Sequence, residues 1–190
     1  MNVSIIILTR NTCEFTMAAV RSAFISCAGL AAEVVVFDNG STDGTAEKLP
    51  VEFPAIKFLR SERNLGFARA VNLAAKDSIA EFLLLLNSDA QPAPEAIPMA
   101  IRWLQAHPDC AVAGAQLFNA DGSLQNSIAN FPTLATELLN KSLLRRLCPR
   151  RFPGKEQLYN EPQAVESVIG AFMLIRKSIW TALGGLRPLA

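Results

Sequence analysis

No stretch of this 190-residue sequence is long and apolar enough to span a bilayer. The longest apolar runs, residues 82–86 and 168–175 with Gly170 inside, fall well short of the roughly 20 residues a spanning helix needs. The first eight residues lack the basic flank and apolar length of an export signal, which predicts a cytoplasmic protein. Cysteine is sparse: Cys13, Cys27, Cys110 and Cys148 form no CxxC pair, and the one histidine, His107, stands near Cys110 alone, so zinc and redox motifs are unsupported and reduced thiols are expected. An excess of one charge is lacking too. Eighteen Lys and Arg face 17 Asp and Glu, a net charge of +1 that argues against a general nucleic-acid binder. No GxGxxG follows the first apolar run and no GxxxxGK[ST] occurs anywhere, so dinucleotide binding and a P-loop phosphate cradle are unsupported. What is there is 51% hydrophobic residues, 18% charged residues and a mean hydropathy of +0.24, the composition of a folded chain, and the length favours one domain, or one with a short appendage, around a large core.

Short β-branched apolar runs alternate with helical stretches through the first two thirds of the chain, the pattern of βα units around a buried parallel sheet. It predicts strands at 3–9, 33–37, 56–60, 82–87 and 111–118, and helices at 13–27, 42–49, 66–78 and 95–106. In the third helix Phe67, Ala70, Val71 and Ala74 recur at helical spacing, while Arg69, Asn72 and Lys76 share another face. Pro98 is tolerated where its missing amide falls in a first turn. After Asn119 the rhythm changes. Asp121 and Gly122 mark a turn, 133–147 reads as an amphipathic helix, 164–175 returns to strand character, and 177–183 forms a last helix closed by Gly184 and Gly185.

In open α/β sheets, ligands bind beyond the carboxyl ends of the strands. Three of those ends are polar here: Thr9, Arg10 and Asn11 after the first strand; Asp38 to Gly44 after the second; Asn87, Ser88 and Asp89 after the fourth. Any one such loop is accounted for by turns and helix caps, with Ser41 or Thr42 as an N-cap. Three that converge point to a binding site. Asp38 follows a buried run and offers a carboxylate to a nucleobase imide or a ribose. Asp89 follows Leu83 to Leu86 in the same way, and one carboxylate beside a diphosphate suffices for Mg²⁺ or Mn²⁺, because such ions take their other ligands from phosphate oxygens and water.

The succession VSIIILTRN, VVVFDNGSTDGT, RNLGFARAVN, FLLLLNSDAQP and VIGAFMLIRKSIWTALGG resembles the family 2 glycosyltransferases of the GT-A fold, in particular their bacterial rhamnosyltransferase-like branch, over nearly the whole chain. The resemblance implies a Rossmann-like, mostly parallel sheet flanked by helices, with a smaller mixed C-terminal part. Within this single domain, 1–118 is the nucleotide-sugar half and 119–190 the acceptor side. It also implies an inverting transfer of a sugar from a UDP- or dTDP-linked donor to a saccharide or lipid-linked acceptor in cell-surface polysaccharide synthesis. Thr9, Asn11, Asp38, Asn64, Gly66, Arg69, Asn72 and Asp89 would line the nucleotide-sugar site; Asp43 would hold its loop, and Asp89 would bind the metal.

Two departures from the family pattern stand out. Asn87 occupies the first position of the DxD-type motif, which leaves Asp89 as its only carboxylate. After Gly184 and Gly185, where the family places an aromatic residue and an acidic catalytic base, this sequence reads Leu186, Arg187, Pro188, Leu189 and Ala190. No catalytic base is therefore assigned. The alternative to an enzyme is a non-catalytic nucleotide-sugar-binding module, and a longer form continuing past Ala190 would favour the enzyme. His107 before Pro108 reads as a surface helix end, and Glu166 as a solvated or paired carboxylate. The stretch 141–155, with six basic and no acidic residues, reads either as a solvated loop or as a surface for anionic lipid or a lipid diphosphate. The second of these implies peripheral contact with the inner face of a membrane.

Overall fold

The computed structural model describes residues 2–129 and 158–187. In chain order the described elements are β1 (Val3–Thr9), α1 (Cys13–Ser26), β2 (Ala32–Asn39), α2 (Thr45–Glu52), β3 (Lys57–Ser61), α3 (Phe67–Ala75), β4 (Phe82–Asn87) and α4 (Ala96–Ala106). They continue as β5 (Val112–Gly114), β6 (Leu117–Phe118), β7 (Leu124–Gln125), β8 (Ile128–Ala129), β9 (Ser167–Val168), β10 (Phe172–Arg176) and α5 (Lys177–Leu183). The chain forms two compact units, one made of residues 1–113 and 170–190, the other of Gly114–Ile169. The last described strand and helix thus belong with the first half of the sequence.

The first unit is built on a sheet of order β3-β2-β1-β4-β10-β5, in which β1 pairs in parallel with β2 and β4, and β2 with β3. β10 runs antiparallel to β4, pairing Phe172 with Leu86 and Arg176 with Phe82. The fold is therefore the expected α/β sheet, parallel at its centre and mixed at one side. Alternate side chains of the strands point to opposite faces. One face gathers Ile6, Val35, Phe37, Leu83, Leu85 and Ile175 under Ala70, Val71 and Ala74 of α3 and Trp180 of α5. Ile5, Ile7, Val34, Val36 and Leu84 face the other way and are buried as well. A strand buried on both faces reads as a continuous apolar run, which is why VSIIIL and FLLLL lack a period of two. Ser26 Oγ donates to the Ala93 carbonyl at 2.8 Å and accepts the Ile97 amide at 3.2 Å, fixing the start of α4 against the end of α1. Arg176 does the same at the other end of α4, donating to the carbonyls of Leu104, His107 (3.0 Å) and Cys110 (2.8 Å). His107 itself is exposed and stacks on Trp103 at 4.2 Å. Burial pushes the Cys27 thiol up, and Cys13, Cys27 and Cys110 are unpaired.

Several boundaries differ from those expected. β2 extends through Asp38 and Asn39, so these residues sit on the ladder opposite Arg60 and Ser61 rather than past it. The helix expected from residue 42 starts at Thr45, because Ser41 and Thr42 engage the neighbouring loop instead of capping. The strand expected at 111–118 is two: β5 ends at Gly114, and β6 leaves to pair with β7 across the turn at Gly122, with the Leu117 amide taken by Ser127 Oγ at 2.7 Å. The strand expected at 164–175 likewise splits into β9, which pairs with β8, and β10. The helix expected at 133–147 and the basic stretch at 141–155 fall mostly or wholly outside the described residues. No described helix is long and apolar enough to cross a membrane.

Gly40, which ends β2, has φ +83°, and a Cβ there would lie 2.9 Å from the carbonyl carbon of Arg63. The β2 end and the loop before α3 can approach this closely only without a side chain. Gly40→Ala is expected to lower unfolding stability by about 2 kcal/mol or more, since the left-handed conformation alone costs roughly 1–2. Urea unfolding with an unchanged midpoint would refute this.

Candidate functional site

The sheet register sets Thr9 beside Asp38 and Leu8 beside Asn87, so the three polar loops leave the sheet as neighbours. Side chains then stitch the loops together. Asn11, at φ +55°, donates its amide to Ser41 Oγ at 2.9 Å, while its Oδ1 accepts the Thr42 amide at 2.8 Å. Asparagine tolerates this left-handed backbone better than most residues. Asp43 Oδ2 accepts the Cys13 amide at 2.9 Å, and its Oδ1 accepts both the Thr45 hydroxyl (2.5 Å) and the Thr45 amide (3.2 Å). One carboxylate thereby serves orphan donors at the amino ends of both α1 and α2, where the helix dipoles also favour negative charge. Asp43 holds its loop, as the sequence suggested. Thr9 is buried rather than open to the loops: its hydroxyl lies 2.8 Å from that of Thr16 and 3.1 Å from that of Thr12, and Thr12 donates to Ser88 at 3.2 Å.

Asp38 is fully buried. Its Oδ1 accepts the Ser41 amide at 2.9 Å; its Oδ2 lies 3.3 Å from Arg60 Nε without a hydrogen bond to it or to any other described residue. Arg60, with about half its side chain exposed, also reaches the Ser41 carbonyl at 3.4 Å. A buried carboxylate oxygen without a hydrogen-bond donor is costly.

Asn64 Oδ1 accepts both the Gly66 amide and Asn39 Nδ2 at 2.9 Å, while Asn39 Oδ1 accepts the Leu65 amide at 2.8 Å. This pair shapes the turn into α3, which Gly66 enters at φ +79°. Asn39, buried, escaped the sequence reading; its only signal was its place between Asp38 and Gly40. Asn72 pairs with the backbone of Leu186 at both ends: Nδ2 donates to its carbonyl at 2.8 Å and Oδ1 accepts its amide at 2.9 Å. Gly185, at φ +80°, packs so tightly below that a Cβ would lie 2.5 Å from Asn72 Oδ1. Arg69 is exposed and forms no hydrogen bond or ion pair with the described residues.

A cleft of about 240 Å³ opens at the carboxyl ends of β1 and β4. Leu8, Leu86 and Val71 give it an apolar floor, Phe67 a half-exposed aromatic wall, and Asn87, Ser88 and Asp89 a polar edge. Asp89 is exposed and has no hydrogen bond or ion pair among the described residues. No group of three or more His, Cys, Asp or Glu converges among those residues. A metal ion held by the protein alone therefore does not fit, whereas one shared between Asp89 and a ligand's phosphates does. Glu166 belongs to the other unit.

This sheet, parallel at its centre with helices on its faces, has the GT-A architecture. The mannosyltransferase PcManGT from Pyrobaculum calidifontis, solved with GDP-Man and Mn²⁺, superposes with a TM-score of 0.64 at 19% identity, over 98% of this chain and 47% of that one. S. aureus TarS 1–349 with UDP superposes at 0.62 and 18% identity, over 97% and 49%. The family model for glycosyl transferase family 2 matches residues 4–183, and the chain belongs to that family. Among curated proteins it is 26% identical over 181 residues to the N-acetylglucosaminyl-diphospho-decaprenol L-rhamnosyltransferase of Mycobacterium tuberculosis, covering 85% of this chain and 59% of that one. It is 31% identical over 115 residues to the dolichol-phosphate mannosyltransferase of Pyrococcus furiosus, covering 59% and 32%. The chain thus spans about three fifths of the first relative and a third of the second.

Burial pushes the Asp43 carboxyl up, but the hydrogen bonds from the Thr45 hydroxyl and the Cys13 and Thr45 amides outweigh it and hold it below its ordinary value of 3.8. Its stabilising contribution is therefore complete above that value and is lost as pH falls through it toward the lower folded-state value. Asp43→Asn should lower stability near neutrality and flatten the acid limb of melting temperature against pH, the limb that begins as pH falls toward 3.8. An acid limb as steep as that of the unsubstituted protein would contradict this.

Proposed function

We propose that this chain binds a UDP- or dTDP-linked sugar and serves its inverting transfer to a saccharide or lipid-linked acceptor in the synthesis of a cell-surface polysaccharide. The observation that carries this reading is the placement of two carboxylates on the strands flanking β1: Asp38 with a buried oxygen lacking a donor, and Asp89 exposed on the cleft edge. Asp38 receives the N–H of the base. Asp89, with the diphosphate, would hold Mg²⁺ or Mn²⁺, whose charge would stabilise the departing nucleoside diphosphate. Asn11, Ser41 and Asp43 keep the two loops around the nucleotide rigid before it arrives, so little ordering entropy remains to be lost on binding. Arg69, exposed and without a hydrogen bond or ion pair among the described residues, would meet the phosphates, as the family resemblance implies. The family pattern puts an acidic base after Gly185, where this sequence has Leu186 and Arg187, so no residue is assigned to that role; Asn72 holds the backbone of Leu186 as the chain leaves that turn.

The relative from Mycobacterium tuberculosis, named for a lipid-linked diphosphate sugar, supports a lipid-linked acceptor. The basic residues of 141–155 are charged to meet such an acceptor or an anionic membrane surface.

Calorimetry with UDP and dTDP tests donor binding. Asp38→Ala should weaken either nucleotide by about 1–3 kcal/mol, the usual effect of removing a charged hydrogen-bond partner; unchanged affinity would remove Asp38 from the site. In a separate measurement Mn²⁺ should tighten UDP binding to the unsubstituted chain and have little effect on Asp89→Asn. Identical affinities in chelator and in Mn²⁺ for the unsubstituted chain would rule the metal out.

A further inference from the structure

We infer that Arg60 is a base-reading residue: with Asp38 it forms a two-point probe for the imide edge of a uracil or thymine ring, Asp38 accepting the ring N–H and Arg60 donating to the carbonyl beside it. The inference rests on the nucleotide site proposed above and adds a residue that the family motifs do not include.

Arg60 lies on β3, directly opposite Asp38 on β2 in the register. Its Nε is 3.3 Å from Asp38 Oδ2, within ion-pair distance, yet the two form no hydrogen bond, and Oδ2 has no other donor among the described residues. The remaining link of the guanidinium is a long 3.4 Å contact from Nη2 to the Ser41 carbonyl. With about half its side chain exposed, Arg60 lies over an otherwise buried acceptor. Asp38 cannot turn to improve the pair, because its Oδ1 is fixed by the Ser41 amide, whose residue in turn receives the Asn11 amide. The misaligned partner is therefore the arginine, the one with room to move.

A donor reaching Oδ2 must come in on the side Arg60 covers. Rotation of the arginine head admits it and leaves guanidinium N–H groups beside the same edge of the incoming ring. Guanidinium carries five donors and no acceptor, so the atom next to the ring N–H has to be an acceptor for the pair to close without an orphan. An imide supplies that pattern, one N–H flanked by two carbonyls. A neutral carbonyl held by a charged donor gives a hydrogen bond stronger than the average.

Binding of UDP, N3-methyl-UDP, 2-thio-UDP and 4-thio-UDP to the full chain, and to Arg60→Met and Arg60→Gln, tests this by calorimetry. Sulfur in place of the contacted oxygen is a weak acceptor, so the unsubstituted chain should bind one thio analogue about tenfold more weakly than UDP. In both variants that difference should vanish, with UDP itself weakened by a similar factor. Loss of N3-methyl-UDP binding in all forms would show that Asp38 still reads the N–H. Thio analogues bound as tightly as UDP by the unsubstituted chain would overturn the role of Arg60 and leave that of Asp38 intact. So would variants that weaken all four ligands equally, the mark of a mere charge partner for Asp38, and so would variants that tighten UDP, the mark of a plug. Equal binding of UDP and N3-methyl-UDP by the unsubstituted chain would instead overturn the Asp38 contact itself, and this inference with it.

Discussion

β1 is hydrogen-bonded on both sides along nearly its whole length, and that constraint decides where everything chemical can be. A strand paired with β2 from Val3 to Thr9 and with β4 from Val3 to Leu8 cannot slip by a residue without turning its buried side chains to the wrong face. The register therefore fixes which residues of three separate loops become neighbours. Thr9, Asp38 and Asn87 meet because the apolar residues below them admit one alignment only.

Above the sheet, the loops obey a stricter rule than polarity. Backbone amides at strand ends and helix starts need acceptors, and here they take them from neighbouring loops: Asn11 from Ser41, Thr42 from Asn11, Cys13 from Asp43, Leu65 from Asn39. The polar residues of the carboxyl edge thus divide by what their side chains still offer. Asn11, Asn39, Asp43, Asn64 and Asn72 are engaged with the protein itself. Asp38 Oδ2, Arg69 and Asp89 are not engaged by hydrogen bonds among the described residues.

The sequence made the sheet legible because strands buried on both faces are continuous apolar runs, and β1, β4 and α5 came out to the residue. It failed where tertiary hydrogen bonds overrode local preference. Ser41 and Thr42 are good N-cap residues, yet Asn11 and Asp38 draw on both of their amides or hydroxyls, and α2 begins later. Residues 111–118 looked like one strand because nothing local reveals that Ser127 pulls Leu117 away. Asn72 was expected near the nucleotide on the strength of a motif; that its amide matches the backbone of Leu186, 114 positions on, is a fact of the fold that no window of sequence contains. Arg60 was invisible for the same reason, since its relation to Asp38 runs through strand register alone.

The antiparallel insertion of β10 between β4 and β5 carries a consequence for how the protein is made. The central strand β4 pairs with β1 on one side, and on the other side only with residues that emerge from the ribosome more than 80 positions later. Until then the run Phe82 to Leu86 is an open edge of apolar backbone, the kind of surface that recruits foreign strands. The long sequence separation also makes closing the sheet a slow, late event in folding. The nascent chain must therefore hold an unfinished sheet through the synthesis of the whole second unit. Arg176, which reaches back from β10 to the carbonyls of Leu104, His107 and Cys110, is the clasp that ends the wait.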